Sequence, residues 1–174
     1  IPLIVQDASG YVGQSMSIAF QASLLDKYGR DKLYFKPEAS PIGTNLSRLR
    51  DATRGQARIF EGSGGICLVD SYRRGITGTI PGSDMMDGVG ALWRALKAGD
   101  DARIYQLYFP LCGIVALQLQ AGLDGFLSLE RYILHKRGII ASPRMREPAS
   151  WTPDPETLAE VDRLLLLLEA AVAG

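Results

Sequence analysis

Short apolar runs alternate with helix-length amphipathic segments from Leu3 to Ala98, and no other feature of the chain narrows its fold as much. Residues 3–5, 32–36, 57–60 and 76–80 are apolar stretches of strand length, the last containing a glycine. Residues 17–28, 44–52, 64–73 and 84–98 carry apolar side chains at helical spacing. Ser15 or Ser17, then Thr44 or Asn45, are suitable N-caps, and Gly29, Gly55, Gly75 and Gly99 are suitable stops. Each strand–loop–helix unit takes about 25 residues, the repeat of parallel strands joined by crossover helices. Four such units are half of a closed eight-stranded barrel, which needs about 250 residues with its helices.

After Gly99 the strand signal stops. Residues 100–121 and 123–137 are helix candidates, Gly138 ends the second, and a proline-containing connection over 142–155 follows. Asp154 is placed to cap a last helix whose apolar residues include Leu158, Val161, Leu164, Leu165 and Leu168. The expected organisation is therefore α/β: residues 1–98 as strands five to eight of a (β/α)8 barrel, and residues 99–174 as a three-helix extension. The opening Ile-Pro-Leu-Ile-Val already has the character of a buried strand, so the chain is expected to be a piece of a longer protein.

Composition excludes several classes of function. Hydrophobic residues make up 47% and charged residues 22%, values of an ordinary globular protein. Nineteen basic residues balance 19 acidic ones, which gives no footprint for nucleic acid. Cys67 and Cys112 lack C-x-x-C spacing and only one histidine accompanies them, so no zinc site is expected. No apolar run has membrane-spanning length, no signal peptide is visible, and two distant cysteines suit a reducing compartment, so the expected location is the cytoplasm.

Among the five lysines, Lys36 alone directly follows an apolar strand, Leu33-Tyr34-Phe35. The carboxyl ends of the strands face the active site in a parallel barrel. An amine there, walled by Tyr34 and Phe35, would have its charged form disfavoured and could condense with a ketone. A solvated lysine at a strand end is the plainer reading of the same position. Gln6 and Asp7 end the first strand on the same rim; the amide can orient a substrate or water, and the carboxylate can act on one or cap the following loop. Glu38 can hold a charge near the site or lie on the surface. Gly62-Ser63-Gly64-Gly65 can present backbone N–H groups to an anion or simply turn the chain into a helix. Gly78 and Gly82 bracket the fourth strand end and permit close approach of a ligand or of neighbouring side chains. His135, in the basic end of a late helix, reads as a helix-end residue, and Trp93 and Trp151 as core or interface.

The segments Y-F-K-P-E (34–38), F-E-G-S-G-G (60–65) and R-G-I-T-G-T-I-P-G (74–82), in this order and spacing, resemble the dihydrodipicolinate synthase and N-acetylneuraminate lyase family. The likeness runs from residue 1 to the end, including Gly138-Ile139-Ile140 and Arg146-x-Pro148. It implies a Schiff base between Lys36 and a 2-oxo acid, with no metal or organic cofactor. It also implies a rim position for Gly62, a pocket lined by Thr77 and Gly78, a missing first half of the barrel, and a homo-oligomer. One departure matters. The family's Y-N-x-P ending of strand five supplies a proton-relaying tyrosine, and here the matching residues are Gln6-Asp7-Ala8-Ser9. With I-V-Q-D beside Y-F-K-P-E, the chain is more similar to the branch of 2-keto-3-deoxy sugar acid dehydratases. The expected activity is thus dehydration of such an acid. The alternatives are a pyruvate-dependent aldolase and a catalytically silent binding subunit.

Overall fold

The computed structural model describes residues 1–174, the side chains of Tyr11 and Val12 excepted. Two compact units divide the chain, Ile1–Pro81 and Gly82–Gly174.

The first unit is built on four strands, β1 (Leu3–Asp7), β2 (Leu33–Pro37), β3 (Arg58–Glu61) and β4 (Gly78–Thr79). They form one parallel sheet in chain order. β1 runs beside β2 from Leu3↔Leu33 to Asp7↔Pro37, and β2 meets β3 at Tyr34↔Arg58 and Phe35↔Ile59. Because side chains alternate between the two faces of a strand, this register sorts the residues into two sets. Leu33, Phe35 and Ile59 point to the side covered by helices α2 (Ile18–Tyr28) and α3 (Ile42–Ala52), where they form a core with Leu25, Leu46 and Leu49. Tyr34, Lys36, Arg58 and Phe60 lie on the other face. The expected wall around Lys36 is therefore corrected: Tyr34 shares its face, but Phe35 is fully buried in the opposite core.

Local chemistry explains where the element ends fall. Ser17 caps α2 by accepting the Phe20 N–H at 3.1 Å. Neither Thr44 nor Asn45 caps α3, which begins earlier with Pro41 at the N-cap, while the Asn45 amide donates to the Ala39 carbonyl at 3.0 Å. The segment after β1, expected as a loop, contains a short helix, α1 (Ser9–Val12). Helix α4 is only Leu68–Arg73, not 64–73, because Gly64 and Gly65 take positive φ angles of 71° and 107° that a helix does not accommodate.

The second unit is helical: α5 (Met86–Ala98), α6 (Asp101–Leu119), α7 (Gly122–Lys136) and α8 (Pro155–Ala173). Asp100 and Asp154 cap α6 and α8 by accepting the N–H groups of Arg103 and Thr157. In chain order α5 is the helix that follows β4, yet it packs with α6 and α8. A Cβ on Gly88 of α5 would lie 2.9 Å from Leu168 of α8, so these two helices approach as closely as a missing side chain allows. Among the described residues, no helix is long and apolar enough to cross a membrane.

Asp84, expected at the start of α5, precedes the helix instead and turns inward, 1% exposed. Its Oδ2 accepts the Gln118 amide of α6 at 2.7 Å, and Arg137 of α7 donates to its backbone carbonyl at 2.8 Å. Burial, reinforced by the nearby Glu130 carboxylate, pushes the Asp84 carboxyl up to about 6 from its ordinary 3.8. Between those two values the folded protein holds the proton and the unfolded chain does not. The stability this adds is complete in acid below the unfolded value and fades as the pH rises through 6, so ionised Asp84 costs up to about 3 kcal/mol at neutral pH. Asp84→Asn keeps an acceptor for Gln118 and removes that cost. It is expected to raise the melting temperature at pH 7.5 by several degrees, at about 2–4 °C per kcal/mol, and to flatten the pH dependence between 4 and 6.5. Thermal melts across that range check it, and a lower melting point for the variant at pH 7.5 would sink the argument.

Candidate active site

Three neighbouring strands end at one place. In the β1–β2 register Gln6 stands beside Lys36, and Gly62 follows the last residue of β3. All three are at the carboxyl ends of parallel strands, where side chains and loops of a (β/α)8 barrel build its active site. Pro37 closes β2, and Glu38, one residue beyond, is held by its own N–H donating to the Asp7 carbonyl at 2.9 Å.

This brings Glu38 back over Lys36. The Lys36 Nζ lies 3.1 Å from Glu38 Oε1, and the two side chains are only 15% and 12% exposed. The Gln6 amide donates to the other oxygen, Glu38 Oε2, at 2.5 Å. Each carboxylate oxygen thus has its own partner, and the carboxylate plane is fixed between an amide and an ammonium. Gly62 closes the group from the β3 side. A Cβ there would sit inside contact distance of Glu38 Oε1 and Lys36 Cε, and 2.8 Å from Glu38 Cδ. No residue larger than glycine fits without displacing the pair. Below, Tyr34 and Phe60 meet edge to face with ring centroids 5.9 Å apart, and Gly78 makes room for the Phe60 ring, which a Cβ would approach to 2.8 Å.

The other residues singled out from sequence lie elsewhere. Asp7 is one position out of phase with Gln6, is 3% exposed, and accepts the Ser15 hydroxyl at 2.6 Å, so it fastens the loop after β1 instead of facing Lys36. Thr77 precedes β4; its N–H donates to the Ile59 carbonyl at 2.7 Å, and its side chain is exposed. The turn after Gly62 is committed to internal bonds: the Ser63 N–H donates to Glu61 Oε1 at 2.6 Å and the Ser63 hydroxyl accepts the Cys67 N–H at 2.9 Å. Burial raises the Cys67 thiol above its ordinary value. His135 sits in the last turn of α7 with Nδ1 3.1 Å from the Ile140 carbonyl, a helix-end role. Glu38 was among the residues that sequence reasoning left open, between a charge near the site and a place on the surface. The signal that could have settled it is its offset of two from Lys36 across a proline, which returns it to the same side of the strand.

A half-barrel sheet with a lysine–carboxylate pair at its strand tips defines the class of protein, and comparison with known proteins agrees with it. The chain is 31% identical over 170 residues to L-2-keto-3-deoxyarabonate dehydratase of Azospirillum brasilense, covering 92% of this chain and 50% of the relative. Its fold superimposes on dihydrodipicolinate synthase from Rhodopseudomonas palustris with a TM-score of 0.82 and 25% identity, covering 97% of this chain and 56% of that one. A catalytic lysine mutant of Ruminococcus gnavus sialic acid aldolase superimposes with a TM-score of 0.76 and 14% identity, over 98% of this chain and 54% of that one. No family model matches. The chain is similar to the dihydrodipicolinate synthase and N-acetylneuraminate lyase family, and within it to a 2-keto-3-deoxy sugar acid dehydratase. It spans about half the length of these relatives.

The packing at Gly62 is directly testable. Gly62→Ala is expected to destabilise the protein by about 1–3 kcal/mol through overpacking. Gly10→Ala, whose Cβ would meet nothing within 4 Å, should be neutral or slightly stabilising. Denaturant melts of the two variants compare them, and equal effects would show that the space over Lys36 is looser than described.

Proposed function

We propose that the protein is a Schiff-base lyase that dehydrates a 2-keto-3-deoxy sugar acid, with Lys36 as the nucleophile and Glu38 as the proton carrier. The contact of Lys36 Nζ with Glu38 Oε1 at 3.1 Å carries this reading. A lysine attacks a ketone only as the free amine, and an adjacent carboxylate is the group to take its proton. The amine then adds to C2 of the 2-oxo acid, a second amine proton and the one held by Glu38 pass to the C2 oxygen, which leaves as water, and the resulting iminium acidifies the C3–H bonds while the Glu38 carboxylate is free again. Removal of a C3 proton gives the enamine, whose electrons expel the C4 hydroxyl. Glu38 accepts the C3 proton and returns one to the departing hydroxyl, so the net loss is one water. Hydrolysis of the imine regenerates Lys36.

Gln6 explains how this chemistry proceeds where the family tyrosine is absent. An amide cannot relay a proton, but it can hold one oxygen of a carboxylate that does. The bond from Gln6 to Glu38 Oε2 leaves Oε1 aimed at Lys36. The relative's activity, that of an L-2-keto-3-deoxyarabonate dehydratase, supports a five-carbon acid of this type as substrate. The iminium is the electron sink, so the proposed reaction requires no metal and no organic cofactor.

Borohydride reduction of the full-length protein with pyruvate is expected to leave a mass adduct on Lys36, lost in Lys36→Ala. Glu38→Gln should still fold and should lose about 100-fold or more in turnover of 2-keto-3-deoxy sugar acids, the usual scale for a missing general acid–base. A folded protein without an adduct defeats the imine. Release of pyruvate in place of a deoxy-oxo product would show an aldolase.

A further inference from the structure

We infer that Glu61 is a positioning residue for the Lys36–Glu38 pair, acting through the backbone of Gly62 and Ser63. This rests on the proposed roles of Lys36 and Glu38. Glu61 ends β3 and is 0% exposed. A carboxylate so deeply buried is costly unless its oxygens are satisfied, and here both are. Oε1 accepts the Ser63 N–H at 2.6 Å, and Oε2 accepts the Thr79 hydroxyl at 2.9 Å. The same hydroxyl lies 3.1 Å from the Glu61 carbonyl, which also accepts the Ile80 N–H at 2.8 Å. One side chain therefore bolts the turn after β3 both to itself and to β4.

The residue inside that bolted turn is Gly62, and its position leaves no slack. A Cβ added there would run into Lys36 Cε and Glu38 Oε1, so the bare backbone of Gly62 is what leaves them their space. A turn that relaxed outward would open space behind the carboxylate, and one that moved inward would strike it. The hydrogen bond through Ser63 N–H sets where that backbone stands. Simple burial does not require a glutamate here: an apolar residue would fill the same volume, but it would leave the Ser63 N–H without this acceptor. What the turn needs from Glu61 is its reach, two methylenes followed by an acceptor on each side.

Reach and charge can be separated. Glu61→Asp keeps the charge but withdraws the oxygens by about 1.5 Å, beyond hydrogen-bond range of Ser63. Glu61→Gln keeps the reach and an acceptor for the Ser63 N–H, and the Thr79 hydroxyl can turn to its second acceptor. In the full-length protein, Glu61→Asp is expected to slow borohydride trapping of pyruvate on Lys36 by about tenfold to hundredfold, the scale of a displacement near 1 Å. It should also change the rate at which a small amine-selective acylating reagent modifies Lys36, read by peptide mass, whereas Glu61→Gln stays within about threefold in both. Thr79→Val, which removes one donor and leaves the strand intact, should fall between them and decides the matter if Glu61→Asp does not fold. Wild-type trapping and acylation rates in a folded Glu61→Asp would overturn the inference. Absence of a wild-type adduct would overturn the imine reading instead, while the acylation rate of Lys36 still decides the role of Glu61.

Discussion

The pairing of Lys36 with Glu38 is the contact around which the sheet is arranged. It depends on a parallel register that stands Gln6 beside Lys36, on a proline that turns Glu38 back toward the strand it has left, and on a glycine at position 62. A register slip of one residue in β2 would send Lys36 into the core and bring Phe35 to the rim. The core of Leu33, Phe35 and Ile59 against Leu25, Leu46 and Leu49 therefore does more than hold the sheet to its helices. By fixing which residues of each strand are inside, it fixes which are left to face the site.

That two-residue period explains how much of the molecule was legible in its sequence. The four strands, their order of appearance and the helices between them follow from the alternation of apolar runs and helix patterns. Ser17 and Asp154 act as caps where their chemistry predicts. The boundaries that moved did so for local reasons: positive-φ glycines delayed α4, and Asp84 left the start of α5 because its carboxylate found Gln118 in the helical unit. The placement of Lys36 and Gln6 at neighbouring strand tips was legible because such a position is a property of sequence order. Gly62 was legible as a glycine-rich turn but not as a wall, since the clash it avoids involves side chains 24 and 26 residues earlier, Glu38 and Lys36. Asp7 shows that rim position alone does not set direction, because a neighbour one residue along a strand points the other way.

The buried acids show how the fold separates anchoring from chemistry. Asp7, Glu61 and Asp84 are each at most 3% exposed, and their described side-chain hydrogen bonds come from neutral donors: a serine hydroxyl, a backbone N–H with a threonine hydroxyl, and a glutamine amide. Neutral donors satisfy a carboxylate without offering it a proton to take, which suits a fastening role. Glu38 differs in kind. One of its oxygens is held by an amide in the same way, but the other faces an ammonium. In the proposed reaction that carboxylate receives the proton Lys36 loses, while the Gln6 amide holds its other oxygen in place. The anchors at Asp7 and Glu61 fasten the loops after β1 and β3, and under the proposed mechanism a transfer over 3.1 Å would tolerate little movement of the backbone that sets the distance.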